Sequence, residues 1–402
     1  MRKILLLGGS AQQVVVIEIA KRLGYDTVLC DFLPDNPGQY VADRFYPVST
    51  TDKDAVLKIA EEEKVDGVLA YASDPAAPTA AYVAEKLGLA SNPYESVCIL
   101  CDKARFRRFL TENGFASPFA KSYRDSAAAA KDICEGVFRL PAVVKPTDSS
   151  GSKGVAVISS AHGCEPLIER AFDRSRSHTV IIEEYVEKDG YQVAGDGLSV
   201  NGELVFRCFA NDHFNADAPN PLVPIAAGFP SVLPDEIQSR IHREIQRLIS
   251  LLHMRTCTYN FDIRVGVDGR IYLMEVAPRD GGNYIPQVIR YMTGVDLAEI
   301  SVRAAMGERI TLPSGIAPKG LYAYYAVHSL TDGVLNSVEI DESFSKRHIV
   351  ENHITAQPGD TVHGFVGSNT TLGCLILRFD SVDEMLDLLD HSEKWIKITY
   401  RG

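Results

Sequence analysis

The sequence predicts a chain of mixed α/β and α+β class, with a parallel sheet first and antiparallel strands after it. Short apolar segments alternate with amphipathic helical segments over about the first 95 residues, which is typical of a parallel sheet covered by helices. From about residue 115 strands dominate, and the turn dipeptides Asn201-Gly202 and Asp268-Gly269 lie between them. Because 402 residues are enough for two or three domains, we predict domains at 1–95, 96–320 and 321–402.

The first domain begins with a predicted strand at Lys3–Leu7 and a helix at Ala11–Leu23 that ends at Gly24. The same strand–helix alternation continues to residue 87. It predicts strands at Tyr25–Asp31, Phe45–Val48 and Val65–Ala70, and helices at Thr51–Glu63 and Ala76–Leu87.

The second domain is rich in strands and contains one long predicted helix, Asp235–Leu252, just before the second hairpin. The third domain combines strands with a single helix and is predicted to be α+β. Its predicted elements are strands at Leu321–Val327, Val334–Ile340 and Leu372–Phe379, and a helix at Val382–His391.

Composition and charge exclude several classes of function. The net charge is −12, from 41 basic and 53 acidic side chains, and the chain has no long Lys/Arg run of the kind that duplex nucleic acid requires. No apolar segment approaches the ~18 residues of a membrane span. The apolar run Ile4–Leu7 is interrupted by Gly8-Gly9-Ser10 and is too short for a signal peptide. We therefore expect a cytoplasmic protein with neither nucleic-acid nor membrane partners.

The glycines after the first strand raise the question of a dinucleotide site, with Asp31 as an acid that binds the ribose. The sequence Gly8-Gly9-Ser10-Ala11-Gln12-Gln13 lacks the G-x-G-x-x-G pattern. A simple strand-to-helix turn explains both glycines, so a nicotinamide oxidoreductase is only a third hypothesis.

Two carboxylates are predicted to face each other across the second hairpin. If Asp268 and Gly269 form a two-residue loop, Asp262 lies directly opposite Glu275. Facing carboxylates repel unless a cation lies between them, and Mg²⁺ commonly uses one or two carboxylates together with substrate phosphates. The alternative is a salt bridge to Arg264, which is diagonal to Glu275.

The same rule applied to the Asn201-Gly202 hairpin places Asp196 opposite Arg207. There a simple ion pair is sufficient, and we predict no metal at that position.

A Gly/Ser-rich loop follows a predicted strand that ends with Lys145 and Pro146. The loop Ser149–Gly154 offers free backbone N–H groups that can fold over phosphates, and Lys145 at its base supplies a positive charge. The alternative for this loop is a plain mobile turn, since the P-loop pattern is absent.

Together these motifs resemble the ATP-grasp superfamily, and the end of the chain is similar to L-amino-acid ligases and carbamoyl-phosphate-synthetase-like carboxylate–amine ligases. The resemblance covers most of the chain and predicts the ATP-grasp fold after an N-terminal sheet domain. The motifs occur in the family's order: Asp102-Lys103, Val143–Pro146, Ser149–Gly154, Ile182–Val186, Asn260–Asp262 and Glu275–Arg279.

The resemblance implies that ATP and Mg²⁺, with Mn²⁺ as an alternative, are the cofactors. Lys103 and Lys145 would contact the ATP phosphates, and the Glu183 side chain would bind the adenine amino group. Asp262 and Glu275 would hold the metal. The other implied nucleotide contacts are Ser150, Gly151 and Ser152 in the closing loop, and Glu184, Tyr185 and Val186 in the hinge beside the adenine edge.

Arg279 would face the transferred phosphoryl group or the substrate carboxylate, as the catalytic residue. The chain departs from the family at two positions. Ala277 stands where most members have an Asn metal ligand, for which Asn283 is a candidate substitute. Gly190 begins the strand before which the family usually has an acid that binds the ribose, and that role is vacant unless Asp189 or Glu187 fills it.

The resemblance implies an ATP-dependent ligase that joins a small carboxylate to an amine through an acyl phosphate. The alternative, motivated by Ala277 and Gly190, is a nucleotide-binding protein whose activity is lost or regulatory. The sequence leaves the identity of both substrates open, and a homodimer is possible.

Overall fold

The structure is a computed structural model and describes residues 1–401. Its N-terminal region is a four-stranded parallel sheet in the order β3-β2-β1-β4, as predicted. The strands are β1 (Lys3–Leu7), β2 (Asp26–Cys30), β3 (Arg44–Tyr46) and β4 (Gly67–Leu69), and the helices are α1 (Val14–Arg22), α2 (Lys53–Glu63) and α3 (Ala77–Lys86).

Two consecutive helices, α4 (Tyr94–Cys101) and α5 (Lys103–Glu112), connect this sheet to the next region. Asp102 ends the first helix and caps the second, because its side chain accepts a hydrogen bond from the Arg105 backbone N–H. Lys103 therefore opens α5, as the sequence predicts.

A small antiparallel sheet follows, in the order β5-β8-β6-β7. Helices α6 and α7 pack on it around a core of buried apolar residues that includes Val144, Ile168 and Ile182. The elements are β5 (Ala120–Tyr123), α6 (Ser126–Cys134), β6 (Ala142–Pro146), β7 (Ala156–Ile158), α7 (Glu165–Asp173) and β8 (Val180–Glu184).

The large sheet has eight strands in the order β13-β12-β9-β10-β11-β14-β18-β16, and a smaller sheet has the order β17-β15-β19. The strands of these two sheets are β9 (Gln192–Val200), β10 (Glu203–Phe214), β11 (Pro224–Phe229), β12 (Cys257–Val265), β13 (Ile271–Ala277), β14 (Leu321–His328), β15 (Gly333–Ile340), β16 (Ile349–Ile354), β17 (Thr361–Val362), β18 (Thr371–Phe379) and β19 (Ile396–Tyr400). The remaining helices are α8 (Asp235–Leu251), α9 (Ile285–Thr293), α10 (Leu297–Ala305), α11 (Glu342–His348) and α12 (Val382–Asp390).

The large sheet crosses the division that we proposed at residue 320. Strand β14 pairs with β11 from Ala226↔Tyr325 to Phe229↔Tyr322. The 321–402 region therefore extends the sheet of the 96–320 region, although β15, β17 and β19 form a sheet of their own.

The second hairpin does not have the two-residue loop that we assumed, whereas in the first hairpin Val200 pairs with Glu203 across the two-residue loop 201–202. Beside the second turn, Val265 pairs with Ile271, so the loop has three residues, 267–269. Met274 is then an extra residue on β13, and this β-bulge shifts the register by one, so that Asp262 does face Glu275. The predicted pair is confirmed, but the assumed turn is wrong.

The first hairpin also contains a β-bulge, but there the bulge separates the two residues that we predicted to face each other. A register shift between Leu204 and Phe206 places Asp196 opposite Cys208 and Arg207 opposite Gly197. The predicted Asp196–Arg207 pair is therefore wrong. Asp196 instead accepts hydrogen bonds from Asn260 and from the Gly281 backbone N–H.

Candidate active site

The two facing acids lie on one face of the β12–β13 hairpin and line a cavity of about 100 Å³. The Oδ1 atom of Asp262 is buried and has no hydrogen-bond partner among residues 1–401. Burial raises the pKa of Asp262 to about 6, and the charge of Glu275 acts in the same direction. Two facing carboxylates, one of them with an unpartnered oxygen, form a site that favours the binding of a cation.

Arg264 does not neutralise the pair by a salt bridge. Its guanidinium donates to Gln192 Oε1 at 2.8 Å and to the Val186 carbonyl at 3.0 Å. Among residues 1–401, no group of three His, Cys, Asp or Glu side chains is arranged as a metal site. The two facing carboxylates themselves fit a metal that is held by them together with substrate oxygens.

Lys103 brings a positive charge to the same cavity from the start of α5. Its Nζ lies 3.3 Å from Glu275 Oε2 and donates to the Ser149 carbonyl at 2.8 Å. Burial alone would lower the pKa of Lys103, but the carboxylates of Glu275 and Asp74 raise it. The Lys103 amine is therefore held in its charged form beside the first residue of the Ser149–Gly154 loop.

Lys145 and Glu183 form a buried ion pair, with 2.6 Å between Lys145 Nζ and Glu183 Oε2. The other oxygen, Oε1, accepts from Arg107 Nε at 2.8 Å. Both oxygens of Glu183 are thus engaged, and its side chain is 2% exposed. The predicted role of Glu183 requires its carboxylate to bind the adenine amino group. In this geometry both oxygens already have protein partners, so the carboxylate is not presented to an adenine.

Arg107 also explains why the bulge on β13 is stable. Its two terminal nitrogens donate to the carbonyls of Leu273 and Met274, at 2.9 and 2.7 Å. These carbonyls flank the extra residue, and buried backbone oxygens need partners. One arginine therefore fixes the position of Glu275 and the charge of Glu183 together.

The Ser149–Gly154 loop lies closed against two other parts of the chain. The Gly151 carbonyl accepts from the Ser368 backbone N–H at 3.0 Å. The Asn220 side-chain amide donates to the carbonyls of Ser152, Val155 and Val366, at 3.4, 3.4 and 3.2 Å. Ser150, Gly151 and Ser152 all line the nucleotide cavity.

The closed loop explains the small volume of this cavity. A site of about 100 Å³ is well below the roughly 300–1,000 Å³ of typical ligand pockets. Gly151 has φ +65°, and a Cβ on it would lie 1.9 Å from Ser368 Oγ, so only glycine permits this contact. The loop must therefore open before a nucleotide can enter.

The predicted hinge follows β8 directly. The Tyr185 backbone N–H donates to the Pro141 carbonyl at 3.0 Å, and the Arg264 guanidinium lies 5.0 Å from the Tyr185 ring centre. Glu184 accepts from the Arg139 backbone N–H. Both Glu184 and Val186 line the nucleotide cavity.

Arg279 is bound to an acid from the N-terminal region that the sequence analysis missed. Its Nε and Nη2 atoms lie 2.8 and 2.7 Å from the two carboxylate oxygens of Asp74. A third bond runs from Nη1 to Asn260 Oδ1 at 2.9 Å. Burial alone would lower the pKa of Arg279, but Asp74 raises it, so the guanidinium stays charged.

Asn283 is not brought to the two acids. Its backbone N–H donates to Gln12 Oε1 at 2.8 Å, its carbonyl accepts from the Cys374 thiol, and it does not line the cavity that contains Asp262. The prediction that Asn283 is a substitute metal ligand is therefore wrong. Asn260, directly opposite Ala277 in the hairpin, is the amide closer to the missing position.

The first βα turn is occupied by its own side chains. Asp31 Oδ2 accepts from the Gly9 N–H at 2.7 Å and Oδ1 from the Leu33 N–H at 2.9 Å. A Cβ on Gly9 would lie 2.2 Å from Asn36 Oδ1. This turn is filled by protein atoms, which argues against the dinucleotide hypothesis.

The family assignment comes from comparison with known proteins. The family model of the ATP-grasp domain matches residues 138–287, the range that contains Lys145, the closing loop, the hinge and both facing acids. The chain carries an ATP-grasp domain.

Two curated relatives of this ATP-grasp chain are both named formate-dependent phosphoribosylglycinamide formyltransferase. The relative from Sulfolobus acidocaldarius is 31% identical over 47% of this chain and 48% of its own length, so the match spans about half of that relative. The relative from Ignicoccus hospitalis is 25% identical over 84% of this chain and 83% of its own length.

The fold as a whole matches the crystal structure of L-amino acid ligase from Bacillus licheniformis. The TM-score is 0.84 with 18% identity, covering 100% of this chain and 99% of that chain. The predicted ATP-grasp fold is therefore confirmed. The predicted resemblance to the ATP-grasp superfamily is also confirmed by the domain match, and the two relatives named above are enzymes, as predicted for this chain.

Three residues at or beside the site were missed by the sequence analysis. Arg107 lies in the run Arg105-Phe106-Arg107-Arg108, which is typical of a solvent-exposed helix face. Asp74 lies in a loop after β4, and Lys153, which lines the nucleotide cavity, was treated only as part of the loop. The helical spacing from Phe106 to Leu110, both buried, could have placed Arg107 near the core.

Proposed function

We propose that this protein is an ATP- and Mg²⁺-dependent carboxylate–amine ligase. The observation that carries the proposal is a single cavity lined by two facing carboxylates, Lys103, Lys145 and a closing Gly/Ser loop. The names of the relatives support it, because formate and an amino acid are both small carboxylates that such a site could activate.

ATP would bind with its phosphates between Lys103, Lys145 and the backbone of the Ser149–Gly154 loop. Asp262 and Glu275 would hold Mg²⁺, or Mn²⁺, and the unpartnered Oδ1 of Asp262 fits that role. When bound, the metal neutralises the phosphate charge during transfer. Glu275 is also held in place by the Lys103 ammonium group, which lies 3.3 Å from its Oε2.

The reaction begins when a carboxylate oxygen of the substrate attacks the γ-phosphorus of ATP. The bond from the γ-phosphorus to the bridging oxygen breaks, and ADP leaves with the electron pair. The amine nitrogen then attacks the carbonyl carbon of the acyl phosphate. The carbon–oxygen bond to phosphate breaks, and an amide, phosphate and one proton are released.

The chain contributes charge and position to these steps, which is what phosphoryl transfer requires. Lys103, held charged by Glu275 and Asp74, stabilises the charge on the transferred phosphoryl group. Burial lowers the pKa of Lys145 despite its contact with Glu183, so the approach of phosphate oxygens would favour its charged form. Arg279, held by Asp74 and Asn260, would orient the substrate carboxylate.

The closed loop would exclude water from the acyl phosphate, which water would otherwise hydrolyse. Its hydrogen bonds with Ser368 and Asn220 support this role. The substrates would be a small carboxylate and an amine. A homodimer stays a prediction.

The proposal is tested by replacing the acids one at a time. We expect Glu275→Gln to abolish ADP release in a coupled assay, with formate and with mixed amino acids as substrates. Asp262→Asn should cost less, because Glu275 and the phosphates can retain one metal ion. Glu203→Gln, an exposed acid at the start of β10, is the matched control. Unchanged turnover in a folded Glu275→Gln protein would refute the metal assignment.

The alternative is a protein that binds the nucleotide without turnover. Ala277 and Gly190, where the family carries a ligand and an acid, are the observations that favour it. It predicts stabilisation of the parent protein against heat by ATP and Mg²⁺, with no ADP released for any substrate mixture. ADP release that depends on a carboxylate would exclude it.

A further inference from the structure

A second, larger cavity of about 650 Å³ lies between the N-terminal sheet and the large sheet. We call it the rear cavity. Its walls come from β4, α3, α10, the start of β12 and residues 278–280. It shares none of its lining residues with the nucleotide cavity, and its volume falls within the range of small-molecule sites.

One wall of the rear cavity contains a carboxylate whose hydrogen bonding is incomplete. Asp280 is 0% exposed. Its Oδ2 accepts from Ser301 Oγ at 2.5 Å and Thr258 Oγ1 at 3.1 Å, whereas its Oδ1 has no partner. A buried polar atom without a partner costs free energy.

No cation offsets this acid. The neighbouring guanidinium of Arg279 is directed to Asp74 and Asn260, and it reaches only the backbone carbonyl of Asp280. Burial and the nearby charge of Asp196 raise the pKa of Asp280 to about 8. In either protonation state one oxygen lacks a hydrogen-bond partner, so a ligand with a polar hydrogen-bonding group would complete the site.

Two guanidinium groups line the same cavity on exposed residues, Arg255 and Arg309. Within residues 1–401, neither forms a salt bridge with a carboxylate, although Arg255 Nη1 donates to the Ser91 carbonyl at 3.3 Å. The other acid that lines the cavity, Glu308, is already paired with Arg303 at 2.7 Å. Guanidinium groups bind phosphate and carboxylate oxygens with two parallel hydrogen bonds.

Small apolar side chains form much of the wall between the exposed arginines and the buried acid. Ala77, Ala80 and Ala81 on α3 and Ala304 and Ala305 on α10 line it. Methyl groups leave room for the body of a ligand and cover its apolar part.

We propose that the rear cavity binds a small organic anion, with its phosphate or carboxylate at Arg255 and Arg309 and a hydroxyl or amine group at Asp280. The rear cavity adjoins the proposed ligase site at Arg279, which also lines it. The three proposed ligand contacts, Arg255, Arg309 and Asp280, have no role in the ligase reaction.

The test is isothermal titration of the full chain with two probes, without ATP. Ribose 5-phosphate carries a phosphate and hydroxyl donors, and L-serine carries a carboxylate and an ammonium group, so the pair separates the two anion types. We expect one of them to bind with one-to-one stoichiometry. Arg309→Ala should weaken that binding by about ten-fold or more, as expected for one charge-assisted contact.

Arg243→Ala is the matched control, because Arg243 is exposed on α8 and does not line the cavity. Asp280→Asn is a second variant that keeps the size of the side chain and should also weaken binding. The proposal is overturned if neither probe binds at millimolar concentration. It is equally overturned if the affinity is the same in Arg309→Ala, since the probe then binds elsewhere.

Discussion

Arg107 joins features of the site that are far apart in the sequence. It satisfies Glu183 on β8 and two carbonyls beside the bulge on β13, and it is 3% exposed. A buried cation with this many partners is costly to remove, because each partner is then left without a donor.

We therefore expect Arg107→Ala to lower the free energy of unfolding by about 3–5 kcal/mol, the cost of breaking a buried ion pair. Arg108→Ala, its exposed neighbour on the same helix, should change it by less than about 0.5 kcal/mol. Urea denaturation followed by circular dichroism measures both. Equal loss in the two variants would show that Arg107 contributes only helix propensity.

Strand alternation and turn dipeptides predicted the elements, and the contacts between residues that are close in the sequence. They located β1, α8, both hairpins, the two acids and Lys145, whereas Lys103 came from the family resemblance. They did not locate Arg107 and Asp74, because the partners of these residues lie on distant elements. The bulges at Met274 and near Val205 were also invisible, since a single extra residue leaves the apolar pattern around it intact.

Among the elements, the Ser149–Gly154 loop is held by weak contacts. The three hydrogen bonds from the Asn220 amide are 3.2–3.4 Å long, and each contributes roughly 0.5–1.5 kcal/mol. Such a loop can open and close without unfolding the sheet beneath it.

We expect Asn220→Ala to increase the rate of trypsin cleavage after Lys153 by about ten-fold, given the loss of about 1–2 kcal/mol of loop contacts. The cleavage site is identified by mass spectrometry, without nucleotide. Asn336→Ala, which removes an exposed amide bonded to Thr399, is the control. An unchanged rate in Asn220→Ala would mean that the other contacts alone hold the loop.

At the scale of the whole molecule, the three predicted domains are joined to one another by more contacts than the sequence indicated. Strand β14 extends the large sheet, and the closing loop rests on Ser368 from the last range. The Asp74–Arg279 pair joins the first range to the second, with both side chains largely buried at 13% and 10% exposed.

We expect Asp74→Ala to lower the free energy of unfolding by about 3 kcal/mol, because Arg279 is left buried without its carboxylate. Asp74→Asn should cost less, since an amide can still accept one hydrogen bond. Glu342→Ala, which breaks an exposed pair with Lys346, should cost less than about 1 kcal/mol. Denaturant titration distinguishes these cases, and equal costs for Asp74→Ala and Glu342→Ala would contradict the importance of the buried pair.

The Asp74–Arg279 contact also limits how such chains can be recombined. A chimera that takes residues 1–95 from a relative without an acid at the equivalent of position 74 would inherit Arg279 with no counterion. A successful exchange would need to transfer the acid together with the arginine. Screening chimeras for soluble expression, grouped by whether they keep this pair, would show whether the first range can be exchanged independently of the rest.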